Sequence, residues 1–242
     1  MPSVQVNEEE GVRYLQFGAH WIQGAMRLNR PWALELEYAR DMMVPLLLRG
    51  DEWPRSVLTI GLGAGSITKF LYRYVPEARL DVVEIDPEVI LTAWTFFKLP
   101  AENERLRIEI GDGYKYVAGT RQRYDLILLD GFDAKVEAGN LDSPAFYKMC
   151  RARLNPGGIV ATNLVSRRGR PKESIARISK VFDARVLVLP PNEANTIVIS
   201  TIGSPIRIGS AQLLSSARKL RAVTGLNLLP TITSLGDDDL RL

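Results

Sequence analysis

The chain has 242 residues, 46% hydrophobic and 24% charged, which suits one large globular domain or a domain with a small appendage. A net charge of +3 and an isoelectric point near 9.0 are too mild a basic bias to specify a nucleic-acid partner. One cysteine, Cys150, excludes an intramolecular disulfide and a cysteine-rich zinc site, and no metal-ligand cluster is visible; the one histidine, His20, would have to carry any Ser-His or Cys-His chemistry alone. No apolar run reaches the roughly 18 residues of a membrane span, and the polar, acidic start MPSVQVNEEE has no signal-peptide pattern. A cytoplasmic protein without a membrane partner is expected.

Short β-like runs at 13–17 and 21–28, broken by Gly18 and Gly24, predict a small N-terminal hairpin region. After Pro31 the apolar spacing of Leu34, Tyr38, Met42 and Pro45 predicts a helix over 33–48, closed by Gly50 and Pro54. From Ser56 onward strands alternate with helices. Strands are predicted at 57–60, 80–85, 106–110, 125–129 and 158–164, with helices at 66–75, 87–99, 112–117, 143–154 and 172–182 between and after them. Two further strands at 184–189 and 196–201 are separated only by a turn, which predicts an antiparallel finish. Near-continuous apolar strands alternating with helices indicate a Rossmann-like, mostly parallel seven-stranded α/β sheet covered on both faces. The chain thus divides into a hairpin region and helix (1–50), a nucleoside-binding catalytic domain (51–204), and a C-terminal helix near 211–223 with a loosely held polar tail, GDDDLRL (205–242).

The stretch VLTIGLGAGSITKF, from Val57 to Phe70, runs strand, glycine turn, helix, with Gly61, Gly63 and Gly65 in the turn. Glycines permit the tight turn and let the backbone approach a ligand, and open α/β sheets bind ligands at the carboxyl ends of their strands. Glu84, followed by Ile85, ends the next strand 23 residues after Gly61, where an acid can accept both ribose hydroxyls of a nucleoside. Dinucleotide folds space their glycines G-x-G-x-x-G to seat a pyrophosphate; the G-x-G-x-G spacing here fits a ligand without phosphate, such as a sulfonium nucleoside of the S-adenosylmethionine type. Asp112, next to Gly113 after the third strand, can accept from an adenine amine or cap the following helix.

The run LILLDGFD buries four apolar residues and then places Asp130 and Asp133 at the strand's carboxyl end, aimed at the same crevice. Two carboxylates three residues apart can hold a cationic amine and take its proton, which attack requires because such an amine titrates near 10.4, like lysine. The alternative is that Asp133 caps the loop and Asp130 alone faces the ligand. The basic run SRRGRPK, 166–172, reads as a solvated loop without the aromatic interleaving of a single-strand nucleic-acid site, so nucleic acid is not an expected partner.

Together IGLGAGSITKFL, VEIDPEVI, GDGYKYV, YDLILLDGFD and LNPGGIVATNLV resemble the spermidine synthase (polyamine aminopropyltransferase) family, in the family's motif order, over about residues 23–200. The resemblance implies a class I methyltransferase-like fold and transfer of an aminopropyl group from decarboxylated S-adenosylmethionine to a small amine such as putrescine, without a metal. It implies Glu84 on the ribose, Asp112 on the adenine, Asp130 as the group that orients and deprotonates the amine, and Asp133 as a second amine ligand. Tyr38 resembles the family's tyrosine that lines the amine channel, and Gln23 is a separate candidate for the lining of the substrate channel. The chain departs from the family at three places: Ala64 stands where an acid in the turn usually binds the aminopropyl nitrogen, Ala39 follows the tyrosine, and Gly131-Phe132 separate the two aspartates. Those departures keep two other readings open, a methyltransferase that uses intact S-adenosylmethionine and a non-catalytic nucleoside-binding protein. A homodimer is expected because a short hairpin region buries itself poorly alone.

Overall fold

Alternation of period two opens the chain, and it builds more than a hairpin. The computed structural model describes residues 4–18, 21–131, 139–165, 171–192, 195–236 and 240–242. Strands β1 (Val4–Glu9), β2 (Val12–Phe17) and β3 (Trp21–Arg27) form an antiparallel meander. Glu10 and Gly11, at φ +48° and +76°, make the tight β1–β2 turn that matches strand twist. The meander's inner residues Leu15 and Met26 pack with Ala64 and Phe97 of the main body, so this region is covered within its own chain.

The helix expected over 33–48 is broken. Helix α1 spans only Glu37–Asp41, and a 3-10 turn follows at Val44–Leu47. Pro45 is the physical reason, since proline has no N–H to donate and its ring clashes with the carbonyl four residues earlier.

The main body then alternates β4 (Ser56–Ile60), α2 (Ser66–Tyr74), β5 (Arg79–Glu84), α3 (Pro87–Phe97), β6 (Leu106–Ile110), α4 (Gly113–Gly119), β7 (Tyr124–Leu129), α5 (Pro144–Ala152), β8 (Leu154–Val165), α6 (Lys172–Val181), β9 (Val186–Val188) and β10 (Asn195–Thr201). These strands form one seven-stranded sheet in the order β6-β5-β4-β7-β8-β10-β9, parallel except for β10. Side-chain alternation divides its two faces. In β7, Leu126 and Leu128 pack with Phe70 of α2 and Val89 of α3, while Ile127 and Leu129 pack with Phe146 of α5 and Ile178 of α6. Because β5 and β7 flank β4 on opposite sides, the direction of winding reverses there. That opens a crevice at the carboxyl ends of β4 and β7.

The chain ends with β11 (Arg207–Ile208), α7 (Ser210–Thr224), α8 (Leu229–Thr233) and β12 (Leu240–Arg241). The tail was expected to be loosely held from its polarity, but its last three residues are docked: β12 pairs with β11, and Leu242 is buried and exchanges backbone hydrogen bonds with Ile206 at 2.8 and 3.0 Å. The apolar residues of the tail, Leu240 and Leu242, outweigh its three aspartates by entering the same core as α7. His20, Asp133 and residues 166–170 of the basic run lie outside the described residues.

Candidate active site

Gly61, Gly63 and Gly65 adopt φ of +93°, +53° and +67°, a region that side chains disfavour. Two of them are also forced by close approach. A Cβ on Gly61 would run into the carbonyl oxygen of Asp130, and one on Gly63 would lie 2.8 Å from the carbonyl of Gln23. The turn therefore brings β3, β4 and the end of β7 together, and the Asp130 N–H donates to the Ile60 carbonyl at 2.9 Å.

Glu84 ends β5 beside this turn. One of its carboxylate oxygens accepts from the Leu62 N–H at 2.8 Å and the other from the Asp86 N–H at 3.0 Å. Burial raises the Glu84 carboxyl, and these backbone donors counter that by stabilising its charge. A carboxylate has about four acceptor positions, so Glu84 keeps capacity for two hydroxyls after fastening the turn. Ile85, just after β5, and Ile110, at the end of β6, are 57% and 62% exposed, leaving apolar surface at the strand ends where a flat base could lie. Asp112 caps α4, its Oδ1 accepting from the Tyr114 and Lys115 N–H groups at 2.7 and 3.2 Å. The cap uses Oδ1 alone, so Oδ2 takes no part in it. Gly113 opens α4, and a Cβ there would meet the Ile60 side chain. Asp112 also lies on the rim of an open groove of about 960 Å³ that runs along the edge strand β6 past Arg107 and Lys115.

Asp130 follows β7 at the switch point. Its Oδ1 accepts from the Asn163 side-chain amide of β8 at 2.8 Å, and the Asn163 carbonyl accepts from the Asn195 amide of β10 at 2.9 Å. With its oxygen tied to Asn195, the Asn163 amide presents its N–H₂ to the carboxylate. Burial pushes the Asp130 carboxyl up to about 7, Asn163 and Tyr38 pull it down, and the charge of Glu84 raises it. Tyr38, from α1, is held well above its ordinary value by burial and by Asp130. Three residues further along, buried Asp41 accepts from Asn192 at 2.8 Å and from Thr231 of α8 at 2.6 Å. The turn before β10 thus ties the helix of Tyr38 to the strand whose Asn195 fixes Asn163, the residue that donates to Asp130.

Gln23, Tyr38, Ala39 and Ala64 line one small cavity with Gly61 and Asp130. Of the residues singled out in the sequence, Gln23, Tyr38, Gly61 and Asp130 therefore share one space, with Gly63 beside it against Gln23. Glu84, Ile85, Asp112 and Gly113 lie along the neighbouring strand ends, and Asp133 is outside the described residues. Asn163 and Asn195 were not foreseen. Their signal was faint: an asparagine inside the apolar run IVATNLV, and another where the last long strand begins. Among the described residues no cluster of acids, histidines or cysteines is placed to hold a metal ion.

The chain has known relatives. The spermine/spermidine synthase domain matches residues 36–185. A polyamine aminopropyltransferase of Neisseria meningitidis serogroup A is 37% identical over 227 residues, covering 93% of this chain and 86% of the relative. Among solved structures, a probable spermidine synthase from Corynebacterium glutamicum superposes with a TM-score of 0.75 at 20% identity, covering 90% of this chain and 83% of that one. Human methyltransferase-like protein 13, in complex with SAH, superposes with a TM-score of 0.69 at 25% identity, covering 78% and 93%. On the domain match and the identity with the Neisseria enzyme, this chain belongs to the spermine/spermidine synthase family.

Proposed function

We propose that the protein is an aminopropyltransferase that moves the aminopropyl group of decarboxylated S-adenosylmethionine to a diamine such as putrescine. The observation that carries this is Asp130, a carboxylate at the switch point whose Oδ1 is held by the Asn163 amide at 2.8 Å and whose burial pushes it up to about 7. A base is most effective when it titrates near the working pH. The amine lone pair attacks the carbon next to the sulfonium, the C–S bond breaks with its electrons going to sulfur, and Asp130 takes the proton released by the amine. Methylthioadenosine and the lengthened polyamine leave. The thioether leaves without an acid, so positioning supplies much of the acceleration.

In this reading Glu84 holds the ribose, Asp112 receives the adenine amine through Oδ2, Ile85 and Ile110 flank the base, and Gln23 and Tyr38 line the amine site. Asp133 is the second amine ligand. A cytoplasmic location belongs to this reading, and recovery of the enzyme in a membrane fraction would count against it. A homodimer is decided by sedimentation at micromolar concentration, where monomer alone rules it out.

The deciding experiment is calorimetric binding of decarboxylated S-adenosylmethionine, S-adenosylmethionine and methylthioadenosine, followed by turnover with putrescine. Tighter binding of the decarboxylated donor and release of methylthioadenosine are expected. Tighter binding of the carboxylated form, with no aminopropyl transfer, would favour the methyltransferase reading. One observation speaks for that second reading: Ala64 leaves the turn without an acid to repel a methionine carboxylate.

A further inference from the structure

A short 3-10 turn, Gly139–Asp142, leads into α5, and none of its residues is buried. It is nevertheless fastened to two helices through one carboxylate. Oδ1 of Asp142 accepts from the Tyr147 hydroxyl of α5 at 2.8 Å and from Nε of Arg177 of α6 at 3.3 Å. Oδ2 accepts from the Ser174 hydroxyl of α6 at 2.6 Å and from a terminal nitrogen of Arg177 at 2.5 Å. A carboxylate has about four acceptor positions, so this one has none left for a ligand. Its donors are themselves placed. Ser174 and Arg177 share a face of α6, where the same arginine nitrogen also donates to the Ser174 hydroxyl at 3.0 Å. Tyr147 is buried, and burial together with the Asp142 charge holds its phenol well above the ordinary value.

An ion pair this near the surface adds little stability by itself. What the network holds is the residue before it. Leu141 packs against the core that includes Ile60 and Phe146. Its Cδ1 stands so close to Gly131 that a Cβ there would fall 2.9 Å away, with Cγ2 of Ile60 at 3.5 Å. The same Cγ2 would lie 2.5 Å from a Cβ on Gly113. The end of β4 thus meets Gly113, just after Asp112, and Gly131, just after Asp130, and Leu141 closes over the second. Gly131 is not among the glycines at positive φ, so close approach is what requires glycine there. One of the chain's departures from its family, Gly131 after the first aspartate, therefore makes room for Leu141.

We propose that Asp142 is a positioning residue for the transfer reaction: by tying its turn to α5 and α6 it keeps Leu141 seated on Gly131, and so fixes the peptide that carries Asp130 against Ile60. The proposal rests on the aminopropyl-transfer reading. A carboxylate that must meet the proton of an attacking amine tolerates little displacement, since about 1 Å can cost roughly a hundredfold in rate.

Asp142→Ala, Leu141→Ala and the double variant test it. Methylthioadenosine release at saturating donor and putrescine gives kcat, and calorimetry gives methylthioadenosine affinity. Each single variant should lose roughly tenfold or more in kcat and keep methylthioadenosine affinity within about threefold. The double variant should be no slower than the slower single one, because both changes release the same contact. D142A should also lower the thermal midpoint, since the buried Tyr147 hydroxyl loses its acceptor. A lowered midpoint with unchanged kcat would make Asp142 a purely structural residue and overturn the proposal. Losses that multiply in the double variant, or affinity lost in step with kcat, would overturn it too. If D142A does not fold, Arg177→Met, which removes two of the four hydrogen bonds, takes its place with the same expected and refuting outcomes. No transfer by the wild type would overturn the function and this role together, whereas wild-type transfer with undiminished kcat in the variants overturns this role alone.

Discussion

Replacing Asn163 with alanine removes the side-chain donor that lies 2.8 Å from Oδ1 of Asp130 and leaves the burial of that carboxyl in place. A hydrogen bond to a charged group contributes about 1.5–3 kcal/mol, and one pKa unit corresponds to about 1.36 kcal/mol, so the loss is worth about one to two units. The sign follows from which form the bond favours. Asn163 stabilises the ionised carboxylate, so without it the neutral acid gains, and Asp130 rises from about 7 to about 8–9. A base must be ionised to accept a proton. The ascending limb of kcat/KM should therefore move to higher pH, with a loss of roughly 5- to 50-fold at pH 7 that recovers toward wild type above about pH 9. Methylthioadenosine release measured across that range in wild type and N163A reads the shift directly. The titration of the amine substrate is common to both enzymes and drops out of the comparison. A lower rate with an unmoved midpoint would refute the coupling and reduce Asn163 to a packing residue.

Two further substitutions separate chemistry from binding. Asp130→Asn should abolish turnover, leave methylthioadenosine affinity within a few-fold, and raise the thermal midpoint at pH 8 but not at pH 3. The native carboxyl sits above its unfolded value, so the folded state binds more protons between about 4 and 7 and loses stability as pH rises through that window. Asparagine escapes that cost at pH 8, and at pH 3 both folded and unfolded carboxyls are already neutral; an unaltered midpoint at pH 8 would show that the group is not strained by burial. Glu84→Ala should weaken methylthioadenosine binding by about 1.5–3 kcal/mol if charge-assisted hydrogen bonds to the ribose are lost. It should also lower stability, because the Leu62 and Asp86 N–H groups lose their acceptor. Nucleoside affinity equal to wild type, measured by calorimetry, would take Glu84 out of the site.

The sheet was legible in the sequence because its signals are local. Runs such as DLILL and VVEID announce buried strands, and the Gly61-x-Gly63-x-Gly65 turn between a strand and a helix is written in consecutive residues. The same locality places Glu84 and Asp130 at strand ends, since a side chain that follows a buried apolar run at the end of a parallel strand emerges at the crevice. The helix expected over 33–48 failed where a single proline outweighed an otherwise good helical spacing.

What the sequence alone determined is the order of strands and helices, the phosphate-free character of the glycine turn, and the acids at the carboxyl ends, all of which depend on periodicity and spacing over a few residues. Only the tertiary structure decided how those acids are tuned. Asp130 meets Asn163 across 33 residues and Asn163 meets Asn195 across 32, pairings that arise because β7, β8 and β10 lie side by side in the sheet. The structure also covered the meander with Ala64 and Phe97 and docked the end of the tail through Leu240 and Leu242. Each is a long-range packing event, set by which faces are left apolar once the sheet has formed, and no window of adjacent residues encodes it.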